Sequence, residues 1–159
     1  MSPGIIALVS AVAVGVLLSV LKSRFDGRFR GTRAIRPSEK EAVQDSSVAT
    51  ERVTAAELGA ELGERATMLQ FSSAFCAPCR ATRRTLAEVE SMVDGVRHIE
   101  VDAELHLELV RRLDIMRTPT VLVLDASGAI VTRASGQPRK ADVIAALGQA
   151  VDASTSKQL

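Results

Sequence analysis

The chain has 159 residues, 47% of them apolar and 25% charged, with a net charge of +1, which suits one α/β or α+β domain of about 100 residues plus an additional segment. Four Phe and no Tyr or Trp leave no stacking platform for single-stranded nucleic acid, and the near-neutral charge argues for no nucleic-acid partner. Two cysteines are too few for the multi-bridge framework of small secreted domains, and they cannot complete a four-ligand zinc site alone.

From Ile5 to Leu21 the chain reads IIALVSAVAVGVLLSVL, apolar apart from Ser10, Gly15 and Ser19. As a helix it is about 26 Å long at 1.5 Å per residue, and Pro3, Gly4 and a snorkelling Lys22 extend it toward a ~30 Å hydrocarbon core. No Lys or Arg precedes Ile5, and Lys22-Ser23-Arg24-Phe25 makes a poor cleavage site, so an anchor is favoured over a cleaved signal peptide. Residues 1–22 are therefore expected to form an N-terminal transmembrane helix. Lys22, Arg24, Arg28, Arg30, Arg33 and Arg36 follow it against Asp26 alone. Basic flanks resist translocation, so the following domain is expected on the cytoplasmic side, with this run close to lipid headgroups. Residues 23–49 turn from basic to Ser/Glu/Gln-rich without an apolar period, the pattern of a flexible tether.

Thr54 with Glu57 three residues later is a capping-box pattern, predicting a short helix over TAAELGAELG. The apolar run ATMLQF, 66–71, suits a buried strand. After the cysteines, Leu86, Val89 and Val93 recur at helical spacing while Arg80, Arg83 and Arg84 fall largely elsewhere around the turn, so an amphipathic helix with a solvated basic face is expected, closed at Gly95. VRHIEV, 96–101, alternates as a strand does. ELHLELVRRL fits both periods, and its Leu, Glu and Arg content favours a helix. PTVLVLDASGAIVTRA reads as two strands turning at Asp125-Ala126-Ser127-Gly128, and a last helix is expected near 138–151, with residues 153–159 as a disordered tail. This order predicts a central sheet with helices on both sides, parallel pairing of strands separated by helices, and an antiparallel hairpin at the edge.

Cys76 follows the buried strand and opens the next helix. Free N–H groups and the helix dipole there favour a thiolate over a thiol. Cys79, one turn on, is placed to attack a mixed disulfide on Cys76, and Pro78 is tolerated in a first turn that has no N–H partner to lose. Zinc is the rival chemistry, but the only histidines available to complete a site are His98 and His106, and their spacing fits no zinc pattern. Inert packing is the third reading. The strand–CxxC–helix context favours the redox pair.

QFSSAFCAPCR, then EVD at 100–102, RTPT at 117–120, VLVLDASG and Gly136 resemble the thioredoxin family over about residues 50–152. The resemblance implies a thioredoxin-like three-layer sandwich, a central mixed sheet with helices on both faces, and a thiol–disulfide oxidoreductase with Cys76 as nucleophile and Cys79 as resolver. It implies no cofactor beyond the Cys76–Cys79 disulfide. Pro119 matches the family's cis proline, preceded by Thr118, beside which a substrate chain would lie extended; Phe75, Ala77 and Pro78 would complete that contact surface.

Several positions depart from the family. Phe75 stands in place of Trp, Ala77 in place of Gly, and Arg84 in place of a helix-kinking proline. Gln70 replaces a buried acid, and His98 matches that acid's Lys partner, which suggests Gln70 and His98 as a neutral proton relay for Cys79. Expected partners are protein or small-molecule disulfides, a reductase or low-molecular-weight thiol as electron donor, and the membrane through the N-terminal helix. The alternatives are an oxidant, isomerase or haem-maturation reductant of the same fold outside the membrane, and a non-enzymatic interaction module.

Overall fold

The computed structural model describes residues 8, 10, 12–20, 29–31 and 51–156. Its strands are β1 (Phe29–Gly31), β2 (Ala66–Ser72), β3 (Val96–Asp102), β4 (Thr120–Asp125) and β5 (Ile130–Ser135), and its helices α1 (Ala55–Leu58), α2 (Ala77–Glu90), α3 (Leu107–Arg112) and α4 (Lys140–Ser156). They build one mixed sheet in the order β1-β5-β4-β2-β3. Every residue of β2 and β4 is buried, as expected for strands covered on both faces. One layer packs Leu86 and Val89 of α2 and Val143 and Leu147 of α4 against Met68, Val121 and Val123. The opposite layer packs Leu109 and Leu113 with Leu69, Phe71, Ile99 and Val101. Fully burying a side chain such as Leu86 stabilises the fold by roughly 1.5–3 kcal/mol.

The β-hairpin is not an edge. β2 and β3 pair in parallel, but β4 lies antiparallel against β2 despite the helix that separates β3 from β4. The chain leaving β3 crosses under the sheet through α3 and returns on the far side of β2, so the hairpin places β4 at the centre. The turn between β4 and β5 is held by Asp125, whose Oδ1 accepts from Ser127 N, Ser127 Oγ and Ala129 N. Gly128 there has φ +78°, and a Cβ would meet the Val53 carbonyl at 2.2 Å, so this turn needs glycine.

The structure also shifts several boundaries. The Thr54 capping box is present, but α1 stops after Leu58 because Gly59 adopts φ 62°. α2 ends at Glu90 with Ser91 as its cap, and Gly95 lies in the following turn at φ 75°. α3 begins at Leu107, after the Glu104–His106 loop. α4 runs to Ser156, through part of the expected tail. Within the expected tether, Phe29–Gly31 instead form β1, antiparallel to β5, because an edge strand offers unpaired backbone groups to any extended segment nearby. The rest of the tether lies outside the described residues. Among the described residues, no helix is long and apolar enough to cross a membrane. Of the span expected over residues 1–22, positions 8, 10 and 12–20 are described as helical and exposed, and the remainder lies outside the described residues.

Candidate active site

Cys76 and Cys79 are joined by a disulfide, S–S 1.99 Å with Cα atoms 5.2 Å apart. Their unequal placement follows from helix geometry. Cys76 is the N-cap of α2, with Pro in the first turn, and its Sγ accepts the backbone N–H of Cys79 at 3.1 Å. A sulfur here occupies the position where capping oxygens satisfy the free N–H groups of a first turn. Cys79 falls on the buried face with Thr82, Leu86 and Val89 and is only 2% exposed, whereas Cys76 is half-buried. A substrate sulfur can therefore reach Cys76 and not Cys79.

The loop before α2 is tied to the turn before β4 by a 3.0 Å hydrogen bond between Ser73 Oγ and Thr118 Oγ1. The Thr118–Pro119 bond is cis, the Pro119 carbonyl accepts from Gly136 N at 2.7 Å, and Thr120 Oγ1 donates to the Arg117 carbonyl. A groove of about 570 Å³ runs past Pro78, Thr118, Pro119 and Gly136. Ala77 and Pro78 are exposed, and Phe75 is 99% exposed, held out by a tight turn in which Cys76 N donates to the Ser73 carbonyl.

Beneath the disulfide, Gln70 is fully buried. Its Nε2 donates to the Cys79 carbonyl at 3.1 Å and to Glu100 Oε1 at 3.3 Å, and its Oε1 lies 3.2 Å from His98 Nε2. Both neighbours of the amide nitrogen are acceptors only, so the amide oxygen must face His98 and His98 Nε2 must carry the hydrogen. Burial pushes the His98 pKa down, and Arg83 adds to this, outweighing the opposite pull of Glu90 and Glu100.

Glu100, directly opposite Gln70 in the parallel register, accepts from Ser72 Oγ at 2.7 Å and from Arg83 Nη2 at 2.7 Å, with Arg83 Nε 2.5 Å from its other oxygen. Burial works to raise its pKa, but the bonds from Arg83 and Ser72 prevail and hold the carboxyl below its ordinary value. Cys76, Cys79, Arg80, Arg83, Glu100 and Asp102 line a groove of about 420 Å³.

Thus Gln70, His98, Thr118 and Pro119 are gathered around the cysteines. Glu100, Ser72 and Arg83 were missed by sequence reasoning. Arg83 is not simply part of a solvated face, since it grips Glu100. The strand alternation that set His98 and Glu100 on one face of β3 carried the available signal, but strand register was needed to put Glu100 opposite Gln70.

Fold and site together define a thiol–disulfide oxidoreductase by class: a redox cysteine pair at the start of a helix, one sulfur accessible and one buried. The chain belongs to the thioredoxin-like domain family, which matches residues 54–151. It is 25% identical over 91 residues to thioredoxin of Bacillus subtilis, covering 57% of this chain and 88% of that one. It is 38% identical over 60 residues to human thioredoxin domain-containing protein 2, covering 38% of this chain and 11% of the length of that relative. Among solved structures, thioredoxin-2 of a malaria parasite matches with a TM-score of 0.51 at 18% identity, over 57% of this chain and 87% of that one; this likeness concerns the fold.

Proposed function

We propose that this chain is a membrane-attached disulfide reductant acting through Cys76 and Cys79. The observation that supports this best is the asymmetry of the pair: Cys76 caps α2 at the surface and Cys79 is buried behind it. Cys76 thiolate attacks a substrate disulfide, forming a mixed disulfide and releasing one substrate thiolate. Cys79 then attacks Cys76 Sγ, forms the internal disulfide and releases the second. Two electrons pass to the substrate, and a reductase or small thiol restores the dithiol. An extended substrate segment lies along Thr118 and the cis Pro119, beside Ala77 and Pro78, with Phe75 as an apolar contact.

Attachment rests on the apolar sequence 5–21, and the cytoplasmic side on the six basic residues that follow it. Cys79→Ser in the full chain tests the chemistry: disulfide-linked adducts at Cys76 should accumulate, and a variant that traps nothing would reduce the protein to a binding module. A membrane-impermeant thiol reagent on intact cells tests the side. Labelling of Cys76 without permeabilisation would place the domain outside and favour the oxidant or isomerase reading.

A further inference from the structure

Resolution of the mixed disulfide requires a proton acceptor for Cys79. Cys79 is 2% exposed, so its proton leaves by way of the groove it lines, and only the thiolate attacks. Gln70 does not titrate. The hydrogen bond from His98 Nε2–H to Gln70 Oε1 directs a donor, not a lone pair, toward the cysteines. The groove that reaches Cys79 carries two carboxylates, Glu100 and Asp102. Asp102 is turned to its own loop, accepting from Glu104 N at 2.8 Å. Glu100 shares the Gln70 amide nitrogen with the Cys79 carbonyl, and is fixed by Ser72 and Arg83.

We infer that Glu100 accepts the Cys79 proton, through water in this groove, when Cys79 resolves a mixed disulfide on Cys76. This rests on the oxidoreductase reading above. The Cys79 S–H bond breaks and its proton goes to the Glu100 carboxylate. The thiolate forms the Sγ–Sγ bond as the bond from Cys76 to the substrate sulfur breaks, and that sulfur departs with the electron pair. Glu100 then releases its proton through the groove. Gln70 and Arg83 are positioning residues in this scheme, and His98 orients Gln70.

The charged and titratable groups around Glu100 are Arg83 and Arg80 on α2, His98 and Asp102 on β3, Glu90 where it accepts from His98 N, and the two cysteines; β2 contributes the non-titrating Ser72 and Gln70. A protonated Glu100 accepts nothing, so the resolution rate should fall as pH drops through the Glu100 pKa. Arg83 is among the groups that hold that pKa below its ordinary value, so losing Arg83 should move this acid limb to higher pH.

The experiment preloads full-length protein with a mixed disulfide at Cys76 and follows substrate thiol release against pH. Glu100→Gln should slow resolution at neutral pH by about 100-fold, within the usual span for a proton acceptor, and lose the inflection at the Glu100 pKa, leaving only the general dependence of the rate on thiolate formation. Arg83→Met should keep the inflection and shift it upward, and Asp102→Asn should leave it in place. The wild-type inflection retained at the same pH in Glu100→Gln, or unmoved in Arg83→Met, would overturn the assignment; if one variant fails to fold, the other decides. Adduct trapping by Cys79→Ser separates the two readings. Normal trapping with an unaltered Glu100→Gln profile removes only Glu100, whereas absent trapping removes the oxidoreductase itself.

Discussion

Replacing Gln70 by Met keeps the side-chain length and removes the polar contacts that Gln70 makes under the disulfide. Gln70 makes three hydrogen bonds, to the Cys79 carbonyl, Glu100 and His98 Nε2, and is fully buried. At about 0.5–1.5 kcal/mol for a neutral bond, and more for the bond to a carboxylate, the loss is roughly 3–4 kcal/mol. The Cys79 carbonyl keeps its helical partner and Glu100 keeps Ser72 and Arg83, which limits the damage, while His98 Nε2–H is left half-buried without a partner. The extra buried apolar surface of Met returns about 1 kcal/mol. The expected net cost is about 2–3 kcal/mol. In a urea titration of the oxidised protein, with a slope of about 1–3 kcal/mol per M, the midpoint should fall by about 0.7–3 M at unchanged slope. A fall below about 0.3 M would show that these bonds hold nothing together.

The same exchange of polar for apolar has the opposite sign at Thr82, whose buried hydroxyl has no hydrogen-bond partner: Thr82→Val should stabilise by about 1 kcal/mol, raising the thermal midpoint by roughly 4–8 °C. Burial lowers the folded pKa of His98 from 6.5, so the unfolded chain binds more protons between those two values. Stability should therefore decline as pH falls below about 6.5 toward the folded pKa, and chemical denaturation in His98→Gln should lose that slope. Phe75→Ala removes a side chain that is 99% exposed. Stability should stay within about 0.5 kcal/mol while KM for a protein disulfide rises more than kcat falls, and an unchanged KM would remove Phe75 from the contact surface.

What could be read in the residues was whatever is repeated locally. The capping box at Thr54, the apolar run of β2, the turn at Asp125–Gly128 and the helical spacing of Leu86 and Val89 each express a rule acting over a few neighbours, and those elements exist where expected. CAPC between a strand and a helix identified the redox pair in the same way, because capping and helix periodicity alone make Cys76 accessible and Cys79 buried. Boundaries were less legible: Gly59 stops α1 early, and α2 closes at Ser91 before reaching Gly95.

The sequence by itself determined the elements from α1 onward, the family and the redox cysteine pair, since these depend on backbone propensity and short spacings. Only the tertiary structure decided which strands meet. It placed β4 at the centre, added Phe29–Gly31 to the β5 edge, and aligned Gln70 with Glu100. Gln70 and Glu100 pair across about thirty positions and the β1–β5 pairing joins residues about a hundred apart, and a shift of one residue would turn Glu100 to the other face of the sheet. The carboxylate beneath Cys79 is therefore a property of register, which no local pattern in either strand encodes.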